Sequence, residues 1–112
     1  MILIDILDQY TSLTKDVDLF YLEIPLATSG LWLADLQTTK VPTGYKDYNI
    51  YYRGKDKNKT LQNIAYLNDA VDNMEACYID DTKFYLERQY EWDYIGKDAE
   101  GYFVFASTLR LF

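Results

Sequence analysis

The spacing of apolar residues changes period along this chain, and that change limits the folds open to it. Ile2, Leu3, Ile6, Leu7, Tyr10 and Leu13 recur at helical intervals, as do Leu61, Ile64, Leu67, Val71 and Met74. Both sets predict amphipathic helices, over about Ile2 to Leu13 and Asn58 to Met74. Asp5 and Asp8 suit the start of the first helix, where the macrodipole favours acids. Asn58 or Thr60 is the expected cap of the second.

Elsewhere the pattern is strand-like. Leu19 to Ile24 reads as a strand ended by Pro25, and Gly30 to Gln37 as a second. Thr38 to Lys46, with Pro42 and Gly44, reads as an exposed loop. Asp47 to Tyr52 resumes a strand that Arg53-Gly54 closes. Lys83 to Tyr94, with Phe84, Leu86, Tyr90 and Trp92 on alternate positions, and Tyr102 to Phe112 predict a closing hairpin across the turn Lys97 to Gly101.

The expected order is helix, three strands, helix, two strands. The expected class is α+β: a mostly antiparallel sheet of about four to five strands with two helices packed on one face. At 112 residues, 1–112 is expected to form a single domain. With 49% hydrophobic residues the chain has enough apolar surface for a core and is unlike a disordered segment. No apolar run reaches the ~18 residues of a membrane helix. Met1 to Asp5 lacks a basic stretch and meets an acid at once, so no signal peptide is expected. The single Cys77 predicts no internal disulfide, in keeping with synthesis in a reducing cytosol.

The net charge of -7 weighs against a general nucleic-acid or anionic-membrane binder. Charge is also uneven. Lys40, Lys46, Arg53, Lys55, Lys57 and Lys59 face only Asp47 and Asp56 within residues 40–59, a net of +4 that leaves -11 on the rest. Lys55, Lys57 and Lys59 stand near a helix N-terminus, which disfavours cations. The segment reads either as a solvated loop or as one pole of a head-to-tail contact between copies.

Catalytic chemistry finds little support. The chain has no His, so the commonest general base and metal ligand is missing, and Cys77 has no evident activator. The five Gly residues form no phosphate loop. Glu87, Glu91 and Asp93 would share one face of an unbroken strand, chiefly as a solvated face. Asp80-Asp81 reads as a turn or a weak cation site, without calcium-loop spacing. The expectation is a non-enzyme without cofactor or metal.

The chain holds 12 Tyr. Tyr suits strands, and it also suits surfaces that are wet until a partner arrives. Tyr51 and Tyr85 are the first interface candidates, with Glu87, Glu91 and the basic set Lys40, Lys46, Arg53, Lys55, Lys57 and Lys59.

The short N-terminal helix, the strand ending Tyr51-Tyr52-Arg53-Gly54-Lys55-Asp56 that runs straight into the second helix, the closing hairpin and the small size together cover nearly the whole chain. In these features it resembles the tail terminator proteins of long-tailed phages, often labelled minor capsid proteins in phages and prophages of Gram-positive bacteria. The resemblance implies a hexameric ring of copies that caps the tail tube, ends its polymerisation and offers the head-joining surface. The implied partners are further copies of itself, the tail tube protein and a head-neck connector protein. DNA would be only passing cargo, and no membrane would be involved. The implied location is the virion, after assembly in the bacterial cytoplasm. Another neck component, a head-completion or connector protein, is the nearest alternative; a monomeric ligand-binding domain is more distant.

Overall fold

A computed structural model describes residues 2–37 and 40–112. Thr38 and Thr39 of the expected loop lie outside the described residues. The first helix, α1, spans Ile2–Tyr10 and buries Ile2, Leu3, Ile4, Ile6 and Leu7. It stops short of Leu13 because Thr11 turns the chain. Its hydroxyl donates to the Leu7 carbonyl and accepts from the Leu13 amide, competing with the helical pattern. Leu13 still reaches the core from the following loop.

Strand β1, Leu19–Tyr21, pairs in parallel with β2, Gly30–Leu33. The rest of the sheet is antiparallel, in the order β1-β2-β3-β8-β6, with β3 at Lys46–Gly54, β8 at Phe103–Leu111 and β6 at Leu86–Arg88. Strand β7, Asp93–Lys97, also pairs with β8. β3 thus lines one side of β8, while β6 and β7 share its other side. Among the described residues this is one six-stranded sheet, and a two-stranded hairpin of β4 (Cys77–Ile79) and β5 (Thr82–Phe84) stands apart. Asp80 in its turn has φ 52, a left-handed conformation that Asp tolerates.

Three expected strands are shorter than read. β1 stops at Tyr21, short of the expected Ile24, where Leu22 takes φ 70. β2 ends at Leu33 because Asp35 takes over the pairing: its carboxylate accepts the Asn49 amide at 2.7 Å. The expected strand Lys83 to Tyr94 is broken into β5, β6 and β7. Between β6 and β7 the backbone leaves the ladder, and the Ser107 hydroxyl donates to the Tyr90 carbonyl. Tyr90 then points to solvent, 66% exposed, instead of joining Phe84 and Leu86 in the core. Glu87, Glu91 and Asp93 therefore do not share one strand face.

The second helix, α2, spans Lys57–Asp72 and is capped by Asp56, whose side chain accepts the Lys59 amide. Asn58 and Thr60, the expected caps, lie inside it. Thr60 is buried with Ile64, Leu67 and Val71, whereas Leu61 is 43% exposed. The helix starts one residue earlier than the apolar spacing suggests, and Thr60 takes the core-facing place because Gly54 leaves room there.

Both helices cover one face of the sheet. Leu31 and Leu33 of β2, Tyr48, Ile50 and Tyr52 of β3, and Phe105, Leu109 and Leu111 of β8 join α1 and α2 in a single core cluster. Alternation puts Trp32, Asp47, Asn49, Tyr51, Arg53, Val104, Ala106, Thr108 and Arg110 on the opposite face.

Candidate interaction surface

The opposite face is where the chain is chemically distinctive. Trp32 on β2 and Tyr51 on β3 are cross-strand partners. Their rings stack at 5.2 Å between centroids and 21° between planes. Both are half-buried. They wall a groove of about 330 Å³ with Ile24, Ile95 and Val104. Ile95 sits where the β7–β8 register shifts and is 61% exposed. Further along the same face Arg110 and Asp47 form a two-pronged pair at 2.8 and 3.1 Å.

One end of this face is fixed by Arg53. Its guanidinium donates to the carbonyls of Pro25 (2.9 Å) and Thr28 (2.8 Å), and to the carboxylates of Asp98 (2.8 Å) and Glu100 (3.0 Å). The Tyr102 ring lies under it at 4.2 Å. Glu100 in turn accepts the Ala27 amide at 2.8 Å. The loop between β1 and β2 and the turn between β7 and β8 are thereby tied to β3. Arg53 was an expected interface residue; at 4% exposure its donors are spent inside the fold. The cause is its outward register opposite Gly30, where the crossover loop folds over it.

The other expected residues fall into four places. Lys55 and Lys59 line a groove of about 370 Å³ at the start of α2, shared with Asp18 and Asp56. Lys55 and Lys57 also lie over the rings of Tyr102 and Tyr94, at 5.3 and 4.6 Å. Glu87 and Glu91 meet at a polar, open groove of about 620 Å³ beside the end of α2. There Arg88 grips Asp72 at 2.8 and 2.7 Å, which lowers the Asp72 pKa. Tyr85 is about half exposed, with Lys83 over its ring at 5.3 Å. Lys40 belongs to the loop before β3, and Lys46 is the first residue of the strand, where it donates to the Leu36 carbonyl at 3.3 Å. The structure brings together Lys55 with Lys59, and Glu87 with Glu91, but not the whole expected set.

Seven of the twelve tyrosines, at 10, 45, 66, 78, 85, 90 and 94, are exposed. Strand preference alone does not account for them, since only Tyr94 lies inside the main sheet. Sequence reasoning singled out Tyr51 but missed its stacking partner Trp32, and also Ile95 and Asp98. The alternation Leu31-Trp32-Leu33, which puts Trp32 opposite its buried neighbours, was the available signal.

Among the described residues no group of three or more His, Cys, Asp or Glu is placed to hold a metal ion, and no helix is long and apolar enough to cross a membrane. Cys77 is buried, and burial pushes its thiol pKa up. No known family model, curated protein or solved structure matches the chain.

Proposed function

We propose that this chain is a virion structural protein of the tail-terminator type. It caps the tail tube as a ring of copies, hexameric in the virion, ends polymerisation and supplies the head-joining surface. The observation that carries the reading is the open sheet face. Both helices pack on the other side, so the stacked Trp32–Tyr51 pair and Ile95 are left to a partner. Such a protein acts by matching a tube subunit on one side and presenting a different surface on the other, which needs neither turnover nor cofactor. The -11 carried outside residues 40–59 suits a bore that repels passing DNA.

The test is to mix the purified protein with tail tubes and image them. Density at one end only supports the reading; none at either end, or binding along the tube, sinks it. Loss of the gene should give overlong tails. Normal tails detached from heads would point to a connector instead.

A further inference from the structure

We infer that the Trp32–Tyr51 groove receives the loop before β3 of a second copy, the segment around Val41 and Tyr45. This rests on the ring reading above and names the contact between neighbours. The groove is apolar along Ile24, Trp32, Tyr51, Ile95 and Val104, and its surroundings are acidic. Glu23 precedes Ile24, Asp93 starts β7, and Asp98 and Glu100 sit in the adjoining turn, against the positive charges of Arg53 and Lys97, a net of -2. The loop has the opposite character. Val41 is 60% and Tyr45 54% exposed, bracketed by Lys40 and Lys46. The Arg110 guanidinium lies 3.8 Å from the centre of the Tyr45 ring. With Asp47 and Glu87, the cross-strand neighbour of Arg110, counted, this cluster nets +1.

Groove and loop lie at opposite ends of the same strand. Arg53, at the far end of the groove, is eight positions along the chain from Tyr45, roughly 27 Å when extended. One molecule cannot fill its own groove. Two different patches that complement each other across copies make a heterologous contact, which repeats until it closes a ring or runs on as a filament. Burying an apolar knob inside a frame of opposite charge also fixes the register of the contact.

Two indoles make the test internal to the protein. The Trp92 indole donates to Asn68 at 2.9 Å, whereas the Trp32 indole has no such partner among the described residues. Amide spectra of the full chain are recorded from micromolar to millimolar concentration. The Trp32 indole and loop signals should move together and the Trp92 signal stay still, with the association weakened several-fold by high salt. The exposed sites Ile95→Asp and Val41→Asp each remove one half of the contact without touching the core. Each variant alone should sediment as a monomer, and an equimolar mixture should form dimers and nothing larger. A wild-type protein monomeric to millimolar concentration with a still Trp32 signal would overturn the inference. So would symmetric dimers of either variant alone, or a mixture that stays monomeric. Tube-end binding is scored separately. Capping without this contact leaves the terminator reading standing, and this contact without capping leaves the inference standing.

Discussion

Arg53 Nη1 lies 2.8 Å from Asp98 Oδ2, so one buried guanidinium joins the middle of the sheet to the turn that closes it. The same group holds Pro25 and Thr28 of the crossover loop between β1 and β2. That loop is short for a parallel connection, which ordinarily takes a dozen or more residues. Arg53→Ala would leave two carbonyls and two carboxylates without their donor. The expected loss is about 1.5–3 kcal/mol in urea unfolding, the scale of hydrogen bonds to a charged group, because Asp98 and Glu100 keep partial access to water. Arg53→Lys should recover only a part, because an ammonium cannot reproduce the planar fork. A Lys variant as stable as wild type would show that charge alone sufficed.

Asp98 gives this clamp a pH dependence. Burial pushes its carboxyl up, but the Tyr102 and Glu100 amides and the Arg53 guanidinium outweigh burial and hold its pKa below the ordinary 3.8. A depressed folded pKa contributes stability that is complete above the unfolded value and is lost as pH falls through the folded one. Asp98→Asn removes the charge at every pH. The variant should be less stable by about 1–3 kcal/mol at neutral pH, as for a charged hydrogen bond. The gap should close as pH falls below about 3.8. Asp47 and Asp72 are held low by their arginines in the same way, but they are more exposed and matter less. Unfolding midpoints across an acid series measure the closing gap; a constant difference down to the lowest pH would refute the assignment.

Both helices, the α+β class and the strands at β3 and β8 were legible because their apolar periods run long enough to average out exceptions. What was not legible depends on contacts between distant residues. Asp35 ends β2 by taking the Asn49 amide, and Ser107 breaks the penultimate strand at Tyr90; neither partner is near in sequence. Arg53 looked like one more cation in a basic stretch. Its burial follows from Gly30 lying opposite it, with Asp98 and Glu100 arriving from the closing turn. The Trp32–Tyr51 pair was half legible, because Tyr51 stood out by its type while Trp32 needed the strand register to be recognised as its neighbour.

Gly54 is expected to be intolerant for a reason of space, not of backbone angle. A Cβ added there would lie 2.1 Å from Thr60 Oγ1. That hydroxyl cannot swing away freely, since Thr60 is buried and bonded to the Asp56 carbonyl at 2.7 Å. Gly54→Ala should cost about 1–3 kcal/mol, the range for an overpacked core. Gly54→Ala combined with Thr60→Ser, which keeps the hydroxyl, should not restore stability. With Thr60→Ala, which removes the hydroxyl, much of the loss should be recovered. Thermal unfolding of the four proteins reads this out, and equal stability of both double variants would place the clash elsewhere.

The start of α2 carries an electrostatic conflict that substitution can expose. Lys57 and Lys59 occupy the first turn with no acid among them, and the Asp56 cap supplies the carboxylate at that end. Asp56→Ala removes both the cap bond to Lys59 and that charge, and should destabilise the protein by about 1 kcal/mol, up to 2. Lys59→Glu puts an acid where the macrodipole favours one. It should stabilise by about 0.3–1 kcal/mol at low ionic strength, and less in salt. Lys57 is the less clear test because its ammonium lies over the Tyr94 ring at 4.6 Å, an attraction that a Glu there would lose. If Lys59→Glu is more stable yet fails to cap tail tubes, the lysine is retained for contact with a neighbour. If it caps as well as wild type, the basic turn has no part in assembly and the solvated-loop reading holds.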